Sequence, residues 1–157
     1  MQAFQGERIF PLTPEQLWPK LRDAAFLVSC IPEGTPHDGA TRDKGVCTVR
    51  PGFSFASGSL DITIEVAAGN EPTALRFTQK SKGIGTFSEV ETALTIAPHE
   101  QGAKVVWQAE IKSLGGLLKL VPAGLIRGAA HKVIEDVWAG VAAKVATLSA
   151  KPPSEHP

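Results

Sequence analysis

The chain has 157 residues, with 16 Lys and Arg against 16 Asp and Glu, so its formal net charge is zero. This length suits one domain, and a neutral chain differs from the basic proteins that bind nucleic acid over a broad surface. No run reaches the roughly 18 apolar residues of a membrane span, and the N-terminus lacks the basic start of a signal peptide. Two cysteines are too few for a disulfide framework. We therefore expect a single cytoplasmic domain.

The N-terminal part predicts one strand followed by two short helices. Residues 3–10 form the strand. A helix start follows, because the Thr13 hydroxyl can cap, Pro14 suits the first helical position and Gln16 completes a capping box. A second short helix is predicted over 23–29. The Gly-, Pro- and Asp-rich stretch that follows is expected to be a loop or a short edge strand.

The middle of the chain, from Val46 to Lys112, alternates with the period of two that is typical of strands. We expect three antiparallel hairpins, with turns near Gly69-Asn70, at 82–85 and at 98–102. Each register is chosen so that apolar side chains share one face. The predicted pairs are Val66 with Leu75, Ile64 with Phe77, Phe77 with Val90, Arg76 with Glu91, Ile96 with Val105, and Leu94 with Trp107.

The three registers agree on one inner face, which indicates a meander with a single apolar wall. Glu89 and Glu91 fall on the opposite face, where charged side chains are solvated. The predicted inner wall consists of Leu60, Ile62, Ile64, Val66, Leu75, Phe77, Val90, Leu94, Ile96, Val105, Trp107, Ala109 and Ile111.

A long apolar helix is predicted from near Gly115 to Leu148, interrupted only by Pro122. A helix with so much apolar surface needs a sheet to lie across, and the strands provide one. The expected fold is α+β, with a strongly bent antiparallel sheet of about seven strands wrapped around the C-terminal helix. We expect one domain over 1–148 and a disordered tail over 149–157.

Small and polar residues on both surfaces predict a cavity between the sheet and the first half of this helix. Small side chains leave space, whereas the bulky residues of the second half fill it. Side chains of the first two helices could instead fill the cavity. The small helix residues are Ala123, Gly124, Gly128, Ala129 and Ala130. The predicted ligand-binding residues are Phe77, Gln79, Ser88, Val90, Thr92, Trp107, Ala109, Leu125, Gly128 and Ala129.

The sequence indicates no cofactor, no metal site and no catalytic residue. The four histidines are scattered and lack the spacing of zinc ligands. An enzyme that used the same cavity, such as a cyclase, dehydratase or hydrolase, would need an ionisable group near its substrate. The candidates for that role are His131, Arg127 and Glu135. Binding without catalysis and catalysis in the same cavity remain two alternatives at this point.

A third alternative is a partner-docking module. Residues 117–126 read LLKLVPAGLI, which is more apolar surface than one helix face can bury. We expect part of this segment to contact a lid, a dimer partner or a membrane surface. The cations nearby could draw an anionic head group or an acidic partner surface toward it. These positive or titratable side chains are Lys119, Arg127, His131 and Lys132.

Several short motifs carry a family resemblance over roughly residues 3–148. Pro14-Glu15-Gln16-Leu17-Trp18 lies in the first helix, and Cys30-Ile31-Pro32 follows the second. The others are Gly83-Ile84-Gly85-Thr86, Val106-Trp107 and Gly115-Gly116. With them the chain resembles the START-type helix-grip fold of the SRPBCC superfamily, and most closely the family of the carbon monoxide dehydrogenase G subunit. One departure is that Glu33 stands before Gly34, where the family has Gly directly after the loop proline.

The resemblance implies a non-catalytic accessory role around a molybdenum hydroxylase, with membrane or quinone association. The superfamily binds hydrophobic small molecules such as lipids, sterols and polyketides in the space between sheet and helix. We therefore predict binding or carriage of a hydrophobic small molecule, lipid or quinone-like, by a cytoplasmic protein that is peripheral at the membrane. A protein partner or a membrane surface would meet residues 117–126.

Overall fold

The computed structural model describes residues 3–50, 58–67 and 69–150. Within them, seven strands form one antiparallel sheet in the order β1-β7-β6-β5-β4-β3-β2, so the first strand pairs with the last. The strands are β1 Ala3–Phe10, β2 Thr35–Pro36, β3 Lys44–Val49, β4 Leu60–Ala67, β5 Ala74–Gly83, β6 Thr86–His99 and β7 Gly102–Gly116. The helices are α1 Pro14–Leu21, α2 Ala24–Ser29 and α3 Ala123–Ala150, with a 3₁₀ segment at Leu117–Leu120.

This architecture confirms the predicted sheet of about seven strands with a long C-terminal helix. The predicted domain end at 148 falls inside α3, so the domain boundary stays a prediction. Of the predicted tail, residues 149 and 150 end α3, and 151–157 lie outside the described residues.

The first helix begins as predicted. The Gln16 amide donates to the Thr13 hydroxyl at 3.2 Å, and the Thr13 amide donates to the Gln16 side-chain oxygen at 3.0 Å. This capping box satisfies two backbone donors that a helix start leaves unpaired. Trp18 on the same helix donates from Nε1 to the carbonyl of Ala74 at 2.9 Å, which ties α1 to β5.

The inner wall is confirmed as one face of the sheet. Leu60, Val66 and Val90 are half-buried, and the other ten predicted wall residues are buried. The β6–β7 hairpin also has its predicted register, with Ile96 opposite Val105 and Leu94 opposite Trp107.

The β4–β5 register differs from the prediction by two residues. Val66 lies opposite Phe77 rather than Leu75, and Ile64 lies opposite Gln79. A displacement of two keeps each apolar side chain on its face, because successive strand residues alternate between faces. The apolar pattern therefore does not distinguish the two registers.

The β5–β6 register is displaced in the same way, with Phe77 opposite Thr92 rather than Val90. The length of the turn explains this displacement, because the pairing of Gly83 with Thr86 leaves two residues to form the turn. The predicted pairing would have left no turn residue. Arg76 and Glu91 are consequently not directly opposite, but they form a diagonal ion pair at 3.6 Å.

The long helix begins later than the predicted start near Gly115. Gly116 still pairs with Thr86 as the last residue of β7, and its φ of 62° then turns the chain into the 3₁₀ segment. Pro122 has no amide hydrogen to donate and stands immediately before α3, which begins at Ala123. The apolar run is therefore divided into a strand end, a 3₁₀ segment and a helix.

The path of α3 follows β1 from its first turn to the level of Phe10. About 17 Å of helix between residues 127 and 138 matches about 20 Å of strand between residues 4 and 10. The contacts along this path are Arg127 over the Phe4 ring (4.9 Å to its centroid), Glu135 with Arg8 (3.7 Å) and Trp138 beside Phe10 (6.3 Å between ring centroids).

The distal half of α3, from residue 138 onward, is the packed part of the helix. The rings of Trp138 and Trp107 stack with their centroids 6.0 Å apart. Gly140 lies so close to α2 that a Cβ there would overlap the carbonyl oxygen of Cys30. Val141 and Val145 are also fully buried. The proximal half, residues 123–137, has one buried residue, Ile126.

Candidate functional site

The inner face of the sheet becomes polar toward the β5–β6 turn. Gln79 and Ser81 on β5 and Ser88 on β6 point to this face and are half-buried; we call these three residues the polar cluster. Ser81 and Ser88 lie directly opposite each other, and their hydroxyl groups share a hydrogen bond. The Gln79 side chain has no hydrogen-bond partner among the described residues.

Apolar side chains surround the polar cluster on the neighbouring strands. Ile62 lies opposite Ser81 on β4, and Leu114 lies opposite Ser88 on β7. Leu114 reaches the inner face because the β6–β7 register shifts between Glu89 and Val90. The site is therefore a small hydrogen-bonding group set into an apolar wall.

The 3₁₀ segment, rather than α3, stands over this end of the sheet. Phe4, which α3 meets near its first turns, pairs with Ala109, and the polar cluster lies further toward the β5–β6 turn. There the Leu117 amide donates to the Gly85 carbonyl at 2.9 Å and fixes the 3₁₀ segment beside that turn. Leu118 and Val121, both half-buried, pack against the core from this side.

Apolar side chains on the proximal half of α3 and at this end of the sheet are only partly buried. Ile134 and Val137 of α3 pack against the core but are half-buried, as are Val90 and Leu114 on the sheet. Closely packed surfaces would bury such side chains, as the distal half of α3 does. We call the region between the proximal half, the 3₁₀ segment and the polar cluster the cleft.

The seven strand residues predicted to bind ligand divide into two groups. Gln79, Ser88 and Val90 line the cleft, whereas Trp107 is covered by the ring of Trp138. The side chain of Thr92 is buried, and its hydroxyl has no hydrogen-bond partner in the described part of the chain. The members of the second, buried group are Phe77, Thr92, Trp107 and Ala109.

The three helix residues predicted for the site are not brought together with the strand residues. Leu125 is 57% exposed, and a Cβ added to Gly128 would meet no atom within 4 Å. Both lie on the side of α3 away from Ile126, because residues one and two positions apart on a helix point in different directions. Ala129 is half-buried at the flank of the helix.

Sequence reasoning did not include Ser81 among the ligand-binding residues, and it assigned residues 117–120 to contact with a lid, a partner or a membrane rather than to the ligand site. Ser81 lies two residues after Gln79, so the alternation of the strand places both side chains on the same face. Ser81 stands between two lysines, however, and this pattern is typical of a solvated strand end. Leu114 could not be assigned from alternation, because the register shift in the β6–β7 pair reverses the parity of β7 beyond it.

The inner face carries little charge. Among the described strand residues Arg8 is the charged one on this face, and Glu135 of α3 pairs with it at 3.7 Å. Arg127 covers the Phe4 ring, and the His131 side chain is exposed. The three ionisable residues considered for catalysis therefore lie away from the polar cluster. Within the described ranges, no three His, Cys, Asp or Glu side chains converge as metal ligands would.

The two cysteines belong to the core. Cys30 and Cys47 are both buried, and this burial raises the pKa of each thiol to about 11. Because the thiolate is the reactive form, both groups remain protonated and unreactive near neutral pH.

The opposite, outer face of the sheet carries a separate depression of about 510 Å³. It is lined by Gly69, Asn70, Ala74, Leu75, Arg76, Ala93, Leu94, Thr95, Val106 and Gln108. Arg76 at its side is already paired with Glu91. Its other polar lining residues, Asn70, Thr95 and Gln108, are all exposed to solvent.

An exposed apolar surface adjoins the cleft. Leu117, Leu120 and Leu125 are 53%, 80% and 57% exposed, and we call these three side chains the apolar tip. Leu120 projects from the end of the 3₁₀ segment, next to the exposed Lys119. Across the described ranges, no helix combines the length and the apolar character that crossing a membrane requires.

Comparison with protein families gives one match that covers most of the chain. The model of the family of the carbon monoxide dehydrogenase G subunit (CoxG) matches residues 6–146. A search of curated proteins finds no match to this chain.

Solved structures of low sequence identity share the fold. A conserved protein from Geobacillus kaustophilus has a TM-score of 0.77 at 20% identity, over 93% of this chain and 96% of its own. A START superfamily protein from Mycobacterium smegmatis has a TM-score of 0.63 at 12% identity, over 94% and 97%. The AHSA1 protein from Silicibacter pomeroyi has a TM-score of 0.62 at 16% identity, over 93% and 99%. These similarities confirm the START-like fold predicted from the sequence.

Proposed function

We propose that this chain, which belongs to the CoxG family, binds a hydrophobic small molecule in the cleft. The observation that carries the proposal is that apolar side chains on the proximal half of α3 and at the polar-cluster end of the sheet stay half-buried. A ligand would complete their burial. The START-like fold, which generally holds hydrophobic small molecules between sheet and helix, supports the same function.

The energetics favour a ligand with a substantial apolar part. Micromolar binding requires about 8 kcal/mol. Burial of apolar surface contributes about 25 cal/mol per Å², so roughly 330 Å² would supply this before the costs of association. A lipid or quinone-like molecule has enough apolar surface, whereas a small polar metabolite does not. The assignment of the ligand to the lipids or quinone-like molecules is part of the proposal.

The first test is native mass spectrometry of the purified chain, followed by organic extraction of any bound molecule. We expect an additional mass that organic solvent releases as an isoprenoid, quinone or lipid. A chain that is empty, and that also fails to bind the neutral apolar dye Nile red, would contradict carriage.

A matched pair of substitutions locates the site on the sheet. Ser88→Phe fills the cleft from β6 and should weaken Nile red binding at least tenfold. Thr95→Phe places the same ring on the exposed outer face of the same strand and should leave binding unchanged. Equal affinities for the two variants would place the dye elsewhere. Circular dichroism of both variants shows whether the fold is retained.

The enzyme alternative is less well supported by the same geometry. Catalysis in the cleft would need a titratable group within hydrogen-bond reach of the substrate. Arg127 is held over Phe4 and Glu135 beside Arg8, and His131 is exposed. The polar cluster itself offers hydroxyl and amide groups, which can orient a ligand without exchanging protons with it near neutral pH.

A second function, docking on an anionic membrane surface, is favoured by the apolar tip. Exposed leucines beside cations suit the interfacial region of a bilayer, where apolar side chains enter the acyl boundary and cations meet lipid phosphates. The sequence between Glu110 and Glu135 contains no acidic residue, and it includes the exposed Lys119. Lys132 is also exposed, and it pairs with Asp136 at 2.8 Å. The apolar tip adjoins the cleft, so a docked chain would present its ligand site to the bilayer.

Vesicle flotation tests this docking. The chain should float with vesicles that contain phosphatidylglycerol and bind less to vesicles of phosphatidylcholine alone. Leu120→Asp should abolish flotation, whereas Val106→Asp, at a 40% exposed apolar residue on the outer face, should not. Flotation that Leu120→Asp leaves intact would contradict docking through the tip, and a protein partner would become the better interpretation of this surface.

The family description names a component of carbon monoxide dehydrogenase. We therefore also propose that this chain is an accessory protein of such a molybdenum hydroxylase. Its test is direct binding between this chain and a purified carbon monoxide dehydrogenase, measured by isothermal titration calorimetry. Heat of binding that disappears with Leu120→Asp would assign the tip to this enzyme. The absence of binding by the unmodified chain would contradict the accessory role.

A further inference from the structure

We infer that the cleft selects a ligand with an uncharged head group, a carbonyl or hydroxyl oxygen, and discriminates against carboxylates and phosphates. This inference rests on the proposed function and adds the chemistry of the ligand's polar end. The polar cluster of Gln79, Ser81 and Ser88 is the group that distinguishes a neutral head group from a charged one.

The polar cluster has hydrogen-bonding capacity left for a ligand. In the Ser81–Ser88 hydrogen bond one hydroxyl donates to the other, so the accepting serine keeps its own proton for a second partner. The Gln79 amide offers two N–H donors and a carbonyl acceptor, and none of them is used by the described residues. A single carbonyl or hydroxyl oxygen between these side chains can therefore be fully satisfied.

Among the residues that the structure describes, the wall around the cluster provides no free positive charge for an anionic head group. Arg8, on the inner face of β1, is already paired with Glu135. The neighbours of the cluster across the ladder are Ile62, Ile64, Val90 and Leu114, which cannot stabilise an anion. The cations on the proximal half of α3 and on the 3₁₀ segment are engaged or solvated: Arg127 covers Phe4, Lys132 pairs with Asp136 at 2.8 Å, and Lys119 is exposed.

This arrangement penalises a charged head group much more than a neutral one. Moving an ionised carboxylate from water to an apolar wall without a counter-ion is costly, whereas a hydroxyl that regains its hydrogen bonds loses little. The cleft is half-exposed, so water screens part of the penalty. We expect the neutral ligand to bind at least tenfold more tightly.

Two ligands with the same chain length test this selectivity. 1-Dodecanol, kept below its aqueous solubility, and dodecanoate, kept below its critical micelle concentration, compete against bound Nile red at pH 8. Dodecanol should displace the dye at a concentration at least tenfold lower than dodecanoate does. Equal displacement, or tighter binding of dodecanoate, would overturn the inference while leaving carriage intact. A chain that binds neither Nile red nor dodecanol would instead contradict the proposed function itself.

Substitutions at the polar cluster should change which of the two ligands binds more tightly. Gln79→Arg adds a cation to the wall and should reverse the preference, so that dodecanoate binds more tightly than dodecanol. Gln79→Leu has no charge and should retain the preference for dodecanol, with its affinity lowered three- to tenfold by the lost hydrogen bonds.

The reversal is measured on folded protein, with circular dichroism and the melting temperature as checks. Ser88→Lys, on the neighbouring strand, is the second route to the same change of charge if Gln79→Arg does not fold. A folded cationic variant that still prefers dodecanol would contradict the assignment of the polar cluster as the selective group.

Discussion

The two halves of α3 belong to one continuous helix but have different relations to the rest of the molecule. The distal half is held by the stacked rings of Trp138 and Trp107 and by the contact of Gly140 with α2. The proximal half is held by an ion pair and by a cation over a ring, with half-buried apolar residues between them. The packing contacts are therefore concentrated at the distal end, and the proximal end is the less tightly packed part of the helix.

The largest effect is expected from removal of the distal aromatic anchor. Trp138→Ala should lower the free energy of unfolding by about 3–5 kcal/mol, because it removes a buried ring and leaves a cavity. Ile134→Ala, at a half-buried residue of the proximal half, should cost less than half as much. Chemical denaturation of both variants measures the difference. Equal losses would mean that the two halves are packed equally well.

Replacement of one glycine in each half of α3 by alanine tests the difference in packing between the halves more sharply. Gly140→Ala should destabilise the protein by about 2–3 kcal/mol, because the new Cβ overlaps the backbone carbonyl of Cys30, which cannot move independently. Gly128→Ala meets no atom and should stabilise the protein by about 0.5–1 kcal/mol through helix propensity. Thermal melts of the two variants should shift in opposite directions. A neutral Gly140→Ala would contradict the close approach of α3 to α2.

The buried thiols add a pH dependence to the region around α2. The pKa of Cys30 and of Cys47 is raised by burial to about 11, from an ordinary value of about 9. A raised pKa means that the protonated thiol is favoured by folding. Each protonated thiol therefore contributes on the order of 2 kcal/mol to the free energy of unfolding. This contribution is fully present below pH 9 and is lost as the pH rises through 11.

Denaturation at pH 8 and at pH 10.5 tests this dependence. Cys30→Ala with Cys47→Ala should lose less stability over this interval than the unmodified chain does. An equal alkaline loss in both proteins would assign the effect to other groups.

The smallest effects are expected where polar contacts hold the proximal half. Arg8→Gln removes the partner of Glu135, and Arg127→Gln removes the cation above Phe4. Each should cost less than about 1 kcal/mol, since both contacts are partly exposed. Hydrogen exchange should nevertheless become faster in residues 123–137 and stay unchanged beyond residue 138. Faster exchange along the whole helix would contradict independent behaviour of the halves.

Much of the fold and part of the site could be predicted from particular residues. Thr13 and Gln16 predicted the start of α1, and the parity of Gln79 and Ser88 placed both on the inner face. The glycines of α3 did not indicate which side of the helix faces the sheet. Gly128 is small, but the apolar residues of this helix are distributed around much of its circumference, so the pattern did not show which side faces the sheet.

By itself, the sequence determined which strand residues share a face, where the first helix begins and that a long helix covers the sheet. Local periodicity and capping chemistry encode these properties within a few residues. The tertiary structure decided the two hairpin registers, the division of the apolar run at Pro122 and the location of the cleft. A shift by two residues preserves every alternation, and the burial of a helix depends on surfaces distant in sequence. Neither can be read from a local pattern.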